Sequence, residues 1–118
     1  MNTRAGGVIG EQAACEYILK KRGMHILRRN YSCRVGEIDI IALDKGCVVF
    51  IEVKSRESES FGRGAEAVTR AKRRKIVRAA QMYLMSHHME ECDVRFDVID
   101  ILRGEAEYLE NAFDMNDL

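Results

Sequence analysis

Hydrophobic and polar positions along this chain predict two helices and a set of short strands. From Val8 to Arg22, Ile9, Ala13, Ala14, Tyr17 and Ile18 recur on one helical side, and Gly23 supplies a stop. Met24 to Tyr31 reads as a first strand. Glu37 to Leu43 alternates acid with isoleucine before turning apolar, and Val48 to Ser55 is rich in β-branched residues; both predict strands. Between them Asp44-Lys45-Gly46-Cys47 predicts a tight turn, so these two strands form a hairpin. Arg56 to Gly64 reads as a polar loop. Ala65 to Ser86 predicts a long helix with Val68, Ile76, Ala79, Ala80 and Tyr83 toward the core, closed by a polar His87-His88 turn. Val94 to Leu102 predicts another strand, and Tyr108 to Phe113 a short last element. The order α-β-β-β-α-β predicts an α/β fold, a mixed central sheet flanked by helices. We expect a single domain over 1–118, its core about 8–113, with an acidic tail over 105–118.

The hairpin juxtaposes charges. A two-residue loop at Lys45-Gly46 pairs Asp44 with Cys47, which sets Asp39 opposite Glu52 and Glu37 opposite Lys54. A four-residue loop gives the same register, whereas a three-residue loop shifts it unless a bulge restores it. Two carboxylates facing one another on one side of a sheet repel unless something cationic joins them. Lys54 supplies part of that charge; Mg²⁺, a hard ion that prefers oxygen, supplies more. The trio Asp39, Glu52 and Lys54 thus has the parts for metal-assisted phosphodiester hydrolysis, with the lysine orienting water or stabilising charge on the phosphate. The plain alternative is a Glu52–Lys54 ladder on a solvated sheet face. The apolar flanks of both strands count against it, because charge in a central strand is costly.

Composition adds a charge asymmetry. The 118 residues carry no net charge, yet residues 1–78 hold 17 Lys/Arg against 9 Asp/Glu, and residues 79–118 hold 2 against 10. Six cations lie within Arg70–Arg78: Arg70, Arg74 and Arg78 recur every four residues as one stripe, broadened by Lys72, Arg73 and Lys75. Such a stripe suits a phosphate backbone, with sequence-independent, salt-sensitive binding, or it is an ordinary solvated face. Arg56 and Arg63 flank the loop after Lys54, where they could grip a substrate. Nothing resembles a transmembrane run or a secretory signal, so a cytoplasmic protein with no membrane partner is expected. Cys15, Cys33, Cys47 and Cys92 show no C-x-x-C pairing and are expected as free thiols, with no structural zinc.

Asp39, Glu52 and Lys54 are spaced like the D…(D/E)-x-K signature of the restriction-endonuclease-like nuclease superfamily, which includes archaeal Holliday-junction resolvases and the RecB nuclease domain. The chain more closely resembles the small bacterial YraN-like family of predicted endonuclease-like proteins. Gly10-Glu11, Arg29-Asn30-Tyr31, Gly36-Glu37-Ile38-Asp39, Phe50-Ile51-Glu52-Val53-Lys54-Ser55-Arg56, Phe61-Gly62, Arg95-Phe96-Asp97-Val98 and Asn111-Ala112-Phe113 look like that family's blocks, in its order. Ile38 stands where the superfamily's nominal proline would.

The resemblance implies a restriction-endonuclease-like domain in which Asp39 and Glu52 bind Mg²⁺, or Mn²⁺ in its place. It also implies Glu11 as an additional metal-binding acid and Lys54 as the catalytic lysine. The expected partner is nucleic acid, DNA rather than RNA, including branched or Holliday-type DNA. By analogy with the resolvases, a homodimer would serve double-strand or junction cleavage. Two other classes stay open: a non-catalytic nucleic-acid-binding module, and a protein-interaction subunit with the same fold.

Overall fold

A computed structural model of the chain describes the backbone of residues 3–57 and 68–117 and the side chains of 12–57 and 68–116. Helix α1 (Thr3–Arg22) leads into strands β1 (His25–Cys33), β2 (Gly36–Asp44) and β3 (Cys47–Arg56). Helix α2 (Arg70–Ser86) then precedes β4 (Asp93–Leu102) and β5 (Glu105–Phe113), with one short 3₁₀ turn at Met115–Asp117. The five strands form one sheet in the order β1-β2-β3-β4-β5. β3 and β4 run parallel, joined by the crossover through α2; the other neighbours are antiparallel. β3 is therefore central, as its apolar flanks predict. This is a restriction-endonuclease-like architecture: one mixed sheet with a helix on each face.

Local chemistry explains the boundaries. Lys45 and Gly46 both have positive φ, as the two central residues of a type I′ hairpin turn must, and Asp44 pairs with Cys47. Arg103-Gly104 repeats this between β4 and β5. That second hairpin lengthens the expected short last element to nine residues, so most of the expected acidic tail is an edge strand. Helix α1 ends in a Schellman motif, Met24 N–H donating to Leu19 C=O at 3.0 Å across left-handed Gly23. Helix α2 closes likewise, with His88 in the left-handed position, which realises the expected polar turn.

Two expectations need correction. Helix α2 starts at Arg70, because Thr69 takes extended backbone angles and its side chain accepts the Lys72 amide as the N-cap; the expected start at Ala65 lies outside the described residues. Among the described side chains of α1 the buried ones are Cys15 and Leu19, one helical turn apart, while Ala13 and Tyr17 are exposed, Tyr17 at 67%. The thiol acts as a small apolar side chain and sets the seam, leaving the tyrosine on the far side. All four cysteines are free. Among the described residues no helix is long and apolar enough to cross a membrane.

Each sheet face has its own core. On the α2 side Ile38, Ile41, Val48, Phe50, Phe96 and Val98 meet Ile76, Ala79, Ala80 and Tyr83 of the helix. On the α1 side Ile40, Ala42, Val49, Ile51 and Ile99 meet Cys15 and Leu19. Ile38 and Ile40, two residues apart on β2, thus lie in opposite cores. A regular strand would place them on one face, so the alternation slips by one residue at Asp39.

Candidate active site

The β2–β3 ladder follows the predicted register for five rungs, from Asp44↔Cys47 to Ile40↔Ile51, and ends there. Beyond it β2 stays paired with β1 as far as Gly36, and β3 with β4 as far as Arg56. The expected Asp39/Glu52 and Glu37/Lys54 rungs are therefore not formed as backbone pairs. The Val53 amide instead donates to Asp39 Oδ2 at 2.8 Å, so the carboxylate itself takes the place of the next rung.

This fork brings the two acids together. The Glu52 carboxyl lies next to that of Asp39, close enough for the one charge to bear on the other. Glu52 continues the face of Val48 and Phe50 and is only 8% exposed. Burial is the main cause, and the adjacent Asp39 charge the second, that push its carboxyl up to about 8. Lys72 and then Lys54 oppose that shift without cancelling it. At neutral pH the pair is short of positive charge.

A cleft of ≈ 390 Å³ opens beside Glu52 on the α2 side, lined by Lys54, Ser55, Thr69 and Lys72 among others. A second, of ≈ 240 Å³, lies on the α1 side and includes Asp39, Arg29, Asn30 and Gln12. The acid pair stands where the two clefts approach through the fork.

The other expected site residues fall into separate groups. Lys54 and Glu37 are exposed. Lys72, expected on the basic stripe, lines the cleft with Glu52. Arg70, Arg74, Lys75 and Arg78 are exposed on α2. Arg73 is turned inward: its Nε donates to Val68 C=O at 2.9 Å and its guanidinium lies 5.4 Å from the Phe113 ring centre. Arg56 forms a two-pronged pair with buried Asp100, at 3.0 and 2.9 Å, which ties the end of β3 to β4. Arg63 and the Glu11 side chain lie outside the described residues. Asp97, fully buried, accepts from Arg95, Tyr108 and the Asn111 amide. That network accounts structurally for the Arg95-Phe96-Asp97-Val98 and Asn111-Ala112-Phe113 blocks.

Asp39 and Glu52 suit a hard divalent cation. Their donors are carboxylate oxygens, they are neighbours, and burial together with the Asp39 charge favours the protonated form of Glu52. Among the described residues no group of three or more His, Cys, Asp or Glu side chains converges on a metal position. Two carboxylates completed by phosphate and water are what Mg²⁺ typically takes.

The fold and this fork define a restriction-endonuclease-like α/β domain. A profile of the uncharacterised protein family UPF0102 matches residues 10–101. A UPF0102 protein of Alkaliphilus oremlandii is 48% identical over 113 residues, covering 91% of this chain and 96% of its own. One from Caldanaerobacter subterraneus is 45% identical over 101 residues, with 86% and 82% covered, and one from Lachnoclostridium phytofermentans 43% over 115 residues, with 97% of each. The chain belongs to the uncharacterised protein family UPF0102, the YraN-like family that its sequence blocks resemble.

Proposed function

We propose that the protein is a Mg²⁺-dependent endonuclease acting on DNA. The observation that carries this reading is the placing of half-buried Asp39 beside buried Glu52 at the fork of β2 and β3, next to a cleft lined by Lys54 and Lys72. Asp39 and Glu52 would hold the cation, which when bound supplies charge neutralisation at the scissile phosphate and a more acidic water. The Val53 amide fixes one Asp39 oxygen and so aims the carboxylate. Lys54 and Lys72 place ammonium groups where phosphoryl oxygens gather charge, and Lys54 orients the attacking water. The exposed cations of α2 bind flanking phosphates without reading sequence. A homodimer would let two such sites act on two strands, with Mn²⁺ able to replace Mg²⁺.

The test is cleavage of labelled single-stranded, duplex and four-way-junction DNA in Mg²⁺ or Mn²⁺. Asp39→Asn, Glu52→Gln and Lys54→Ala each lower cleavage by about 10²-fold or more while sparing DNA binding. Wild-type protein that binds DNA but leaves every substrate intact would make it a binding module instead.

A further inference from the structure

We propose that the α1-side cleft is a subsite for the substrate phosphate next to the scissile one, with Arg29 and Asn30 as its positioning residues. The inference rests on the nuclease reading only in placing the scissile phosphate at Asp39 and Glu52. Asn30 sits in the middle of β1 with φ +52°, between the pairs Arg29↔Ile40 and Tyr31↔Ile38, and so stands opposite Asp39. A left-handed residue inside a strand is sterically costly, though asparagine bears it better than most residues. The result is a slip in β1 that matches the one in β2. Tyr31 packs in the α2-side core with Ile38, whereas Arg29, paired with Ile40, comes to the α1 side. Regular alternation would put Arg29 on the face of Tyr31.

The slip thus delivers a guanidinium and a carboxamide to the cleft that holds Asp39, with Gln12 of α1 adding a second carboxamide. Among the described residues Arg29 pairs there with Glu16 at the surface, at 3.4 Å. A guanidinium with amide donors is chemistry for a phosphate oxyanion. The Asp39 charge would repel that anion unless a cation is shared with the scissile position, which places the subsite one nucleotide away. Lys72 and Thr69 line the cleft on the other sheet face. A strand crossing the acid pair therefore has a cleft on each side of the fork.

The probe is a nucleoside 3′,5′-bisphosphate titrated against the matching 5′-monophosphate in Mg²⁺, with wild-type protein, Asn30→Gly and Arg29→Gln. Glycine accepts the left-handed backbone, so Asn30→Gly removes the side chain and keeps the fold, which thermal melting checks. In wild-type protein the second phosphate improves affinity about tenfold, and both variants lose that gain. No gain in wild-type protein, or a full gain kept by either variant, overturns the subsite. If the gain depends on both residues but no polynucleotide is cleaved, the subsite stands and the catalytic reading falls. If Asn30→Gly and Arg29→Gln both cleave with unchanged KM, the subsite falls and catalysis stands.

Discussion

The carboxylate of Asp39, one residue past the last rung of the β2–β3 ladder, accepts the backbone N–H of Val53, two residues past it, at 2.8 Å. A side chain here does what a strand carbonyl would otherwise do, which frees the strands to part and leaves the second carboxylate oxygen for other work. Asp39→Ala therefore loses an acceptor for the half-buried Val53 amide and destabilises the fold by about 1–2 kcal/mol. Asp39→Asn retains an acceptor oxygen and costs less. Urea unfolding of the two variants checks the order, and makes Asp39→Asn the better control for chemistry.

Glu52 gives the metal-free protein a pH-dependent stability. Its carboxyl holds a proton up to about 8, against 4.5 ordinarily. The folded state thus binds more protons than the unfolded state between those values, and stability falls as pH rises through that window. The slope is at most about 1.4 kcal/mol per pH unit. Melting temperature measured in EDTA drops from pH 5 to 8, and Glu52→Gln flattens the drop. Mg²⁺ competes with that proton, so added Mg²⁺ stabilises the protein more at pH 8 than at pH 6.

The β1–β2 turn is pressed against α2 at Gly36. A Cβ there would stand 2.9 Å from the Lys75 carbonyl oxygen and 3.2 Å from its Cβ. Gly36→Ala must push β2 away from the helix, at a cost of about 1–3 kcal/mol. Since β2 also carries Asp39, the variant loses cleavage along with stability; chemical denaturation and a cleavage assay read the two together.

Neighbouring arginines on α2 have separable effects. Arg74→Ala with Arg78→Ala leaves the melting temperature within about 3 °C and weakens DNA binding, with the salt slope reduced by about 2. Arg73→Ala chiefly lowers stability, because that side chain ties Val68 C=O and covers Phe113. Anisotropy titrations across salt concentrations, paired with melts, distinguish them.

The sequence makes the central hairpin legible because a Lys-Gly pair between two β-branched strands admits few turn geometries, and the register Asp44↔Cys47 follows from it. The acid pair follows from that register in outline only. Pattern reasoning assumes strict alternation, and the slip at Asn30 and Asp39 depends on a left-handed backbone angle that no periodicity encodes. An asparagine among strand residues opposite an acid was the one available signal. On α2 the four-residue spacing of cations is visible, but the inward turn of Arg73 depends on the distant Phe113. Tyr17 misleads for the opposite reason: helical spacing groups it with Ile9, Ala13, Ala14 and Ile18 on one side, while Cys15 and Leu19 hold the seam.

The most direct measurement is isothermal titration of Mg²⁺ and Mn²⁺ into the protein, with and without a non-cleavable branched DNA. The control is the Asp39→Asn/Glu52→Gln double variant. Binding heat is expected in the wild-type protein and lost in the double variant, because that pair supplies the carboxylate oxygens on which the cation is held. No cation binding in either condition, or the same heat in the double variant, would contradict a metal centre at Asp39 and Glu52.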